Sequence, residues 1–159
     1  MIILGIDPGT ATTGYGVIEQ TSDDVKLIKY GCIKTTPDTE KKERFKIIYD
    51  NLLLLIDEYK PDILAVELLF FNKNTKTALS IGEVRGIIFL ACAVKNVSIF
   101  EYTPLQVKSY LVGYGKADKN QIKQMIQMQF NLEKPPTPDD AADAIAIALC
   151  HLSSQALLV

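Results

Sequence analysis

Asp7, Glu67, Asp140 and Asp143 are acids set in apolar sequence. Asp7 follows Ile2-Ile3-Leu4-Gly5-Ile6, and Glu67 follows Ile63-Leu64-Ala65-Val66 and precedes Leu68-Leu69-Phe70. Asp143 interrupts a run of alanine, isoleucine and leucine from Ala141 to Leu149. A carboxylate in a low dielectric is costly unless it is protonated, paired or bound to a metal. Asp7, Glu67 and Asp143 have no adjacent Lys or Arg, so the pattern suggests a shared counter-ion. Asp140 and Asp143 are three apart and project from one face of a helix. Four oxygen donors with no His or Cys close by suit Mg²⁺ or Mn²⁺ rather than zinc. Each acid also has a plainer reading. Asp7 before Pro8-Gly9 fits a turn, Glu67 the start of a loop, and Asp140, three after Thr137, a helix cap. Asp139 rivals Asp140, and spacing alone does not choose between them.

The elements that must position these acids are legible from periodicity. The continuous apolar, β-branched run at 2–6 reads as a strand buried on both faces, and Asp7-Pro8-Gly9 ends it. Two further strands at 14–20 and 25–35, joined by a turn at 21–24, suggest an antiparallel meander. Phe45, Ile48, Leu52, Leu55, Ile56 and Tyr59 recur at helical spacing, which predicts an amphipathic helix over 39–59, broken by Pro61. A strand at 62–66 carries Glu67 at its C-terminal end. A long helix follows at 73–94, a strand at 97–101, and a helical segment from Pro104 to the Gly113/Gly115 loop. Further helices are expected at 118–128 and from Thr137 to about Leu157. This order implies an α/β fold with a five-stranded mixed sheet and helices on both faces.

Bulk properties bound the rest. A chain of 159 residues is about one domain, taken here as 1–159. With 48% hydrophobic and 23% charged residues, global disorder is excluded. Cys32, Cys92 and Cys150 form no C-x-x-C pair, so a disulfide framework or zinc site is not expected and a reducing cytoplasm fits. No apolar run approaches the ~18 residues of a membrane span, and the N-terminus has no secretory pattern. The net charge of −2 alone argues mildly against a nucleic-acid partner, yet the charge is uneven. Residues 72–129 hold eight Lys/Arg against three acids, while 1–71 and 130–159 are both acidic. Lys73, Lys76, Arg85, Lys108, Lys116, Lys119 and Lys123 in that middle segment either coat solvated helix faces or form a basic region able to face a nucleic acid. His151, near a helix end, reads as a dipole-favoured or surface residue rather than a ligand. Gly82-x-x-x-Gly86 permits close helix packing, within one chain or between two.

Several segments, in order and over nearly the whole chain, resemble bacterial RuvC-type Holliday-junction resolvases. They are Ile3-Leu4-Gly5-Ile6-Asp7-Pro8-Gly9-Thr10 with Thr13-Gly14-Tyr15-Gly16; Val66-Glu67-x-x-Phe70 with Lys73-Asn74; Glu83-x-Arg85-Gly86; Tyr102-x-Pro104-x-x-Val107-Lys108; and Asp140-Ala141-Ala142-Asp143-Ala144. The resemblance implies a ribonuclease-H-like fold, a homodimer, and paired nicks in four-way junction DNA during recombination and repair. It maps the family's metal-binding, catalytic acids onto Asp7, Glu67, Asp140 and Asp143, and so prefers Asp140 to Asp139. It implies two Mg²⁺ ions per site, ~3.5–4 Å apart in the two-metal template, with Mn²⁺ as a substitute. The products would be 5′-phosphate and 3′-hydroxyl ends. Phe70 would stack on an unpaired base at the junction centre, although it and Phe71 also fit core packing. Lys108 and Lys119 would contact DNA backbone near the site. The RuvA-RuvB branch-migration complex is the implied partner. Some longer relatives carry a basic tail beyond the point where this chain stops, so weaker affinity is expected. With four acids assigned to metal, the remaining charge is +2, which removes the objection to DNA.

Three other readings compete, and one is a different nuclease within the fold, such as the shorter RuvX/YqgF-like group, which preference for linear or RNA substrates over junctions would favour. Gly5-Ile6-Asp7-x-Gly9-Thr10 also resembles the first phosphate loop of actin-like sugar kinases and ATPases, but the second loop and second domain are lacking. A non-catalytic junction-binding protein is disfavoured because all four acids are present.

Overall fold

The computed structural model describes residues 1–68, 75–113, 115 and 117–156. The elements in chain order are β1 (Ile2–Asp7), β2 (Thr12–Gln20), β3 (Val25–Lys34), α1 (Lys41–Tyr59), β4 (Ile63–Glu67), α2 (Thr75–Lys95), β5 (Ser98–Tyr102), α3 (Pro104–Val112), α4 (Lys119–Gln129) and α5 (Asp139–Ala156). Every expected element is present; ends within the described residues differ by at most two residues, and the expected starts and stops at 73 and Leu157 lie outside them. The strands form one sheet in the order β3-β2-β1-β4-β5. β1 pairs antiparallel with β2 and β2 with β3, whereas β1–β4 and β4–β5 are parallel.

Local chemistry accounts for the boundaries. Thr103 caps α3 and Asp118 caps α4, each with a reciprocal Gln three residues on, at Gln106 and Gln121. Both are capping boxes, which satisfy two otherwise orphaned backbone donors. α1 ends at Lys60, whose left-handed backbone (φ 47°) lets its N–H reach Ile56 O at 2.8 Å; Pro61 then prevents continuation.

Strand alternation divides the core into two layers. Leu4, Ile6, Val17, Leu64 and Val66 pack with Ile48 and Leu52 of α1 and Val84 and Ile88 of α2. Ile3, Ile18 and Ala65 project to the other face, against Ala142, Ile145 and Ala146 of α5 and Ile122 and Ile126 of α4. α5 lies very close to the sheet. A Cβ on Gly5 would fall 2.1 Å from Ala144 O, and one on Gly14 would fall 1.9 Å from Asp140 O. The alanines of α5 and these strand glycines therefore remove the bulk that would hold helix and sheet apart. Among the described residues, no helix is long and apolar enough to cross a membrane.

Candidate active site

Because Leu4 and Ile6 face α1 and α2, the alternation sends Gly5 and Asp7 toward α5. The same rule sends Ala65 and Glu67 to that face. The parallel register pairs Gly5 with Ala65 and Ile6 with Val66; one step further, it brings Asp7 beside Glu67. On the other flank Asp7 pairs with Gly14, the residue whose missing side chain admits the Asp140 backbone. Asp140 and Asp143, in the first turns of α5, complete the group. Acids separated by up to 136 positions in sequence thus share one end of the sheet.

The electrostatics are those of an under-compensated cluster. The Asp7 carboxyl is pushed up to about 8, first by burial and then by Glu67, Asp143 and Asp140, against a smaller opposing pull from Lys119. Glu67 is also raised, by burial and Asp143, with Lys119, Arg85 and Lys108 acting in the opposite direction. Lys119 Nζ lies 3.2 Å from Asp143 Oδ2 and 3.9 Å from Asp139 Oδ2, and Asp143 holds its ammonium above the usual lysine range. An ammonium at the first position of α4 opposes that helix's dipole, so its position reflects the attraction of these acids.

The geometry separates the two neighbouring aspartates. Asp139 is exposed and pairs with Lys123, which holds its carboxyl below the ordinary range. Asp140 instead lines a cavity with Pro8, Gly9 and Thr10, and adds to the field on Asp7. The donor set suits a hard divalent cation, because four carboxylates compete for too little positive charge. Cys32, the nearby sulfur, remains a thiol, since burial and Asp140 push it up. Among the described residues no three potential ligands form a closed cage, and Lys119 is the counter-charge beside Asp143.

The other predicted site residues have separate fates. Lys108 and Lys119 line a cavity of about 150 Å³ together with Glu67 and Asp143. Lys123 is engaged by Asp139. Phe70, Phe71, Lys73 and Lys116 lie outside the described residues, as does the side chain of Lys76. Two expectations need correction. Arg85 is buried, with 8% of its surface exposed, so it is not a DNA contact. Its guanidinium donates to the Glu67 backbone carbonyl and pairs with Glu101, which anchors the end of β4 from behind. His151 is neither at the surface nor favoured as a cation. It is fully buried, burial pushes its ring pKa down, and Nδ1 lies 2.6 Å from the Tyr102 hydroxyl. The neighbours responsible come from β5, which periodicity within one helix does not reveal. Sequence reasoning also missed two contacts at the loop after Asp7: Ser80 Oγ lies 3.1 Å from Thr10 Oγ1, and Arg44 Nε donates to Thr35 Oγ1 at 2.8 Å. The presence of hydroxyl residues was the only available signal.

A β3-β2-β1-β4-β5 sheet, with acids ending adjacent parallel strands and meeting the first turn of a helix laid across them, defines a ribonuclease-H-like fold. Residues 3–151 match the family described as crossover junction endodeoxyribonuclease RuvC, and the chain belongs to that family. It is a family of metal-dependent nucleases. The chain is 51% identical over 160 residues to the crossover junction endodeoxyribonuclease RuvC of Caldicellulosiruptor saccharolyticus, covering 99% of this chain and 96% of that one. It is 54% identical over 151 residues to the RuvC of Desulforamulus reducens, covering 95% and 93%. The structure superposes on T. thermophilus RuvC, solved in complex with a Holliday junction substrate, with a TM-score of 0.94 and 32% identity over 99% of this chain and 96% of the other.

Proposed function

We propose that this chain, acting as a single nuclease domain, resolves four-way DNA junctions by symmetric paired nicks that leave 5′-phosphate and 3′-hydroxyl ends. The carrying observation is the carboxylate cluster, in which Asp7 is pushed up to about 8 by burial and three neighbouring acids. Such a site gains most from a multivalent cation. Asp7, Glu67, Asp140 and Asp143 would hold two Mg²⁺ ions, with Mn²⁺ able to replace them. When bound, these ions supply activation of the attacking water and charge stabilisation at the leaving 3′ oxygen. The chain's own groups do the positioning. The β1–β4 register and the approach of α5 bring the acids together without a flexible linker. Lys108 and Lys119, on the rim of the cavity beside Glu67 and Asp143, receive the DNA backbone. Lys119, paired with Asp143 at 3.2 Å, would turn to the DNA backbone where cations neutralised that carboxylate.

A homodimer is supported by α2. Leu79, Leu90 and Val94 are 68%, 56% and 53% exposed, Phe89 is 37% exposed, and a Cβ at Gly86 would meet nothing within 4 Å. Monomers rarely leave such a stripe in water, and two copies would place two sites on one junction. Family membership alone supports action in the cytoplasm, with junctions received from a RuvA-RuvB branch-migration complex.

The test is nicking of a synthetic mobile four-way junction with Mg²⁺, set against linear duplex. Glu67→Gln is expected to bind the junction with near wild-type affinity and not to cut it. Mg²⁺-dependent nicking by Glu67→Gln at the wild-type rate would remove Glu67 from the site, and equal cutting of linear duplex would remove the junction selectivity.

A further inference from the structure

The carboxylates separate two cavities of different chemistry. The cavity beside Glu67 and Asp143 is basic through Lys108 and Lys119. The other, of about 480 Å³, lies on the Asp140 side and is lined by the loop from Pro8 to Thr12 together with Ser80 and Ile81 of α2. Among the described residues its lining includes no Lys or Arg, and Asp140 has no basic partner within salt-bridge distance.

The loop's carbonyls are turned into the protein. Gly9 O accepts from the Thr13 hydroxyl at 2.7 Å, Thr10 O accepts from the Thr35 hydroxyl, and Ala11 O accepts from Thr35 N at 3.0 Å. Arg44 Nε braces Thr35 Oγ1 from α1. In a trans peptide the C=O and the following N–H point in opposite directions. With Gly9 O and Thr10 O directed inward, the N–H groups of Thr10 and Ala11 are directed outward. Neither has an acceptor among the described residues. Two outward amides and the Thr10–Ser80 hydroxyl pair form a concave set of neutral donors, which suits an anionic oxygen. Neutral donors also have an advantage over lysine here, because an ammonium would pair with Asp140 as Lys119 does with Asp143.

We infer that this cavity holds the backbone phosphodiester flanking the scissile one, so that the cut strand is gripped by neutral donors on the Asp140 side and by lysines on the Asp143 side. The inference rests on the nuclease reading above and adds where the strand runs. Ser80 is the residue to alter, because it is partly exposed and lies outside the carboxylate cluster.

The experiment reads junction binding with Ca²⁺ in place of Mg²⁺, using junctions that carry one neutral methylphosphonate at successive positions around the cut site. Ser80→Ala is expected to weaken binding about 3–10-fold, the loss of one hydrogen bond, with an unchanged slope against log salt. Lys108→Ala is expected to lower that slope by about one. Ser80→Glu is expected to weaken binding on the order of tenfold or more, and one flanking methylphosphonate should erase that penalty. The melting temperatures of both Ser80 variants should match wild type, which separates contact from folding. If no single flanking position rescues Ser80→Glu and Ser80→Ala binds like wild type, the subsite is overturned while junction cutting stands. If the wild type neither binds nor nicks junctions, the nuclease reading falls and takes the subsite with it.

Discussion

α5 carries two polar clusters that differ in kind. In its first turns Asp140 and Asp143 meet Asp7 and Glu67, and among the described residues Lys119 is the one ammonium within bonding distance of these four acids. Two turns further on, the fully buried His151 meets Tyr102, which in turn meets the half-buried Ser154, in a neutral group. The second cluster is internally consistent. Ser154 Oγ donates to His151 O at 2.7 Å, so it can accept from the Tyr102 hydroxyl at 3.1 Å. The Tyr102 oxygen then accepts from His151 Nδ1–H at 2.6 Å. These bonds assign the neutral tautomer with a bare Nε2, the buried side-chain atom that lacks a partner among the described residues. A bare lone pair is a cheaper orphan than an unsatisfied N–H donor. One helix thus holds a neutral, internally hydrogen-bonded group where it needs cohesion and under-compensated charge where it needs a ligand.

The sharpest way to break the contrast is Asp7→Asn. Nicking is expected to fall about 10³-fold or more, equivalent to several kcal/mol of lost charge stabilisation. In EDTA the same substitution should raise the melting temperature, increasingly so from pH 5 to pH 8. The sign follows from Asp7. Its folded value near 8 exceeds its ordinary value of 3.8, so between these the folded chain keeps a proton that the unfolded chain has released. Stability therefore declines as pH rises through that window, and asparagine removes the decline. Melting curves at both pH values, with and without Mg²⁺, check this; an Asp7→Asn gain that shrinks toward pH 8 would contradict it.

Disrupting the neutral cluster should have the opposite profile. His151→Ala is expected to cost about 2–4 kcal/mol, from a buried cavity and a broken network, while the folded variant keeps its nicking rate well below its melting temperature. Tyr102→Phe should cost about 1 kcal/mol. Denaturant midpoints measure both, and a double variant no worse than His151→Ala alone would show that the two groups act as one unit. The smallest effect is the pH dependence of His151. Its ring pKa is depressed by burial, so below the ordinary value near 6.5 the unfolded chain takes up a proton that the native state refuses. Its contribution is complete above that value and is lost as pH falls. Wild type should weaken from pH 7 to pH 5 relative to His151→Ala.

Much of this was legible before any coordinates. The apolar run before Asp7, the helical spacing from Phe45 to Tyr59 and the acid inside the alanine-rich α5 each declared their element. Arg85 and His151 were misread because burial is a property of partners. Arg85 is held by Glu101, sixteen residues away, and His151 by Tyr102, forty-nine residues away. Neither partner falls within one turn of the helix that carries the residue. Ser80 was passed over for the same reason, since its counterpart Thr10 is seventy residues distant.

The chain sequence alone determined the type of each element and which acids sit in apolar surroundings, because periodicity and turn chemistry act over a few residues. Only the tertiary structure decided that Asp7 lies beside Glu67, that Asp140 rather than Asp139 faces the loop, and that Lys119 lines the open cavity beside the acids while Arg85 is buried behind β4. Those outcomes depend on the parallel register of β1 and β4 and on the close approach that Gly14 allows to α5. Both bring together residues that the chain itself keeps far apart.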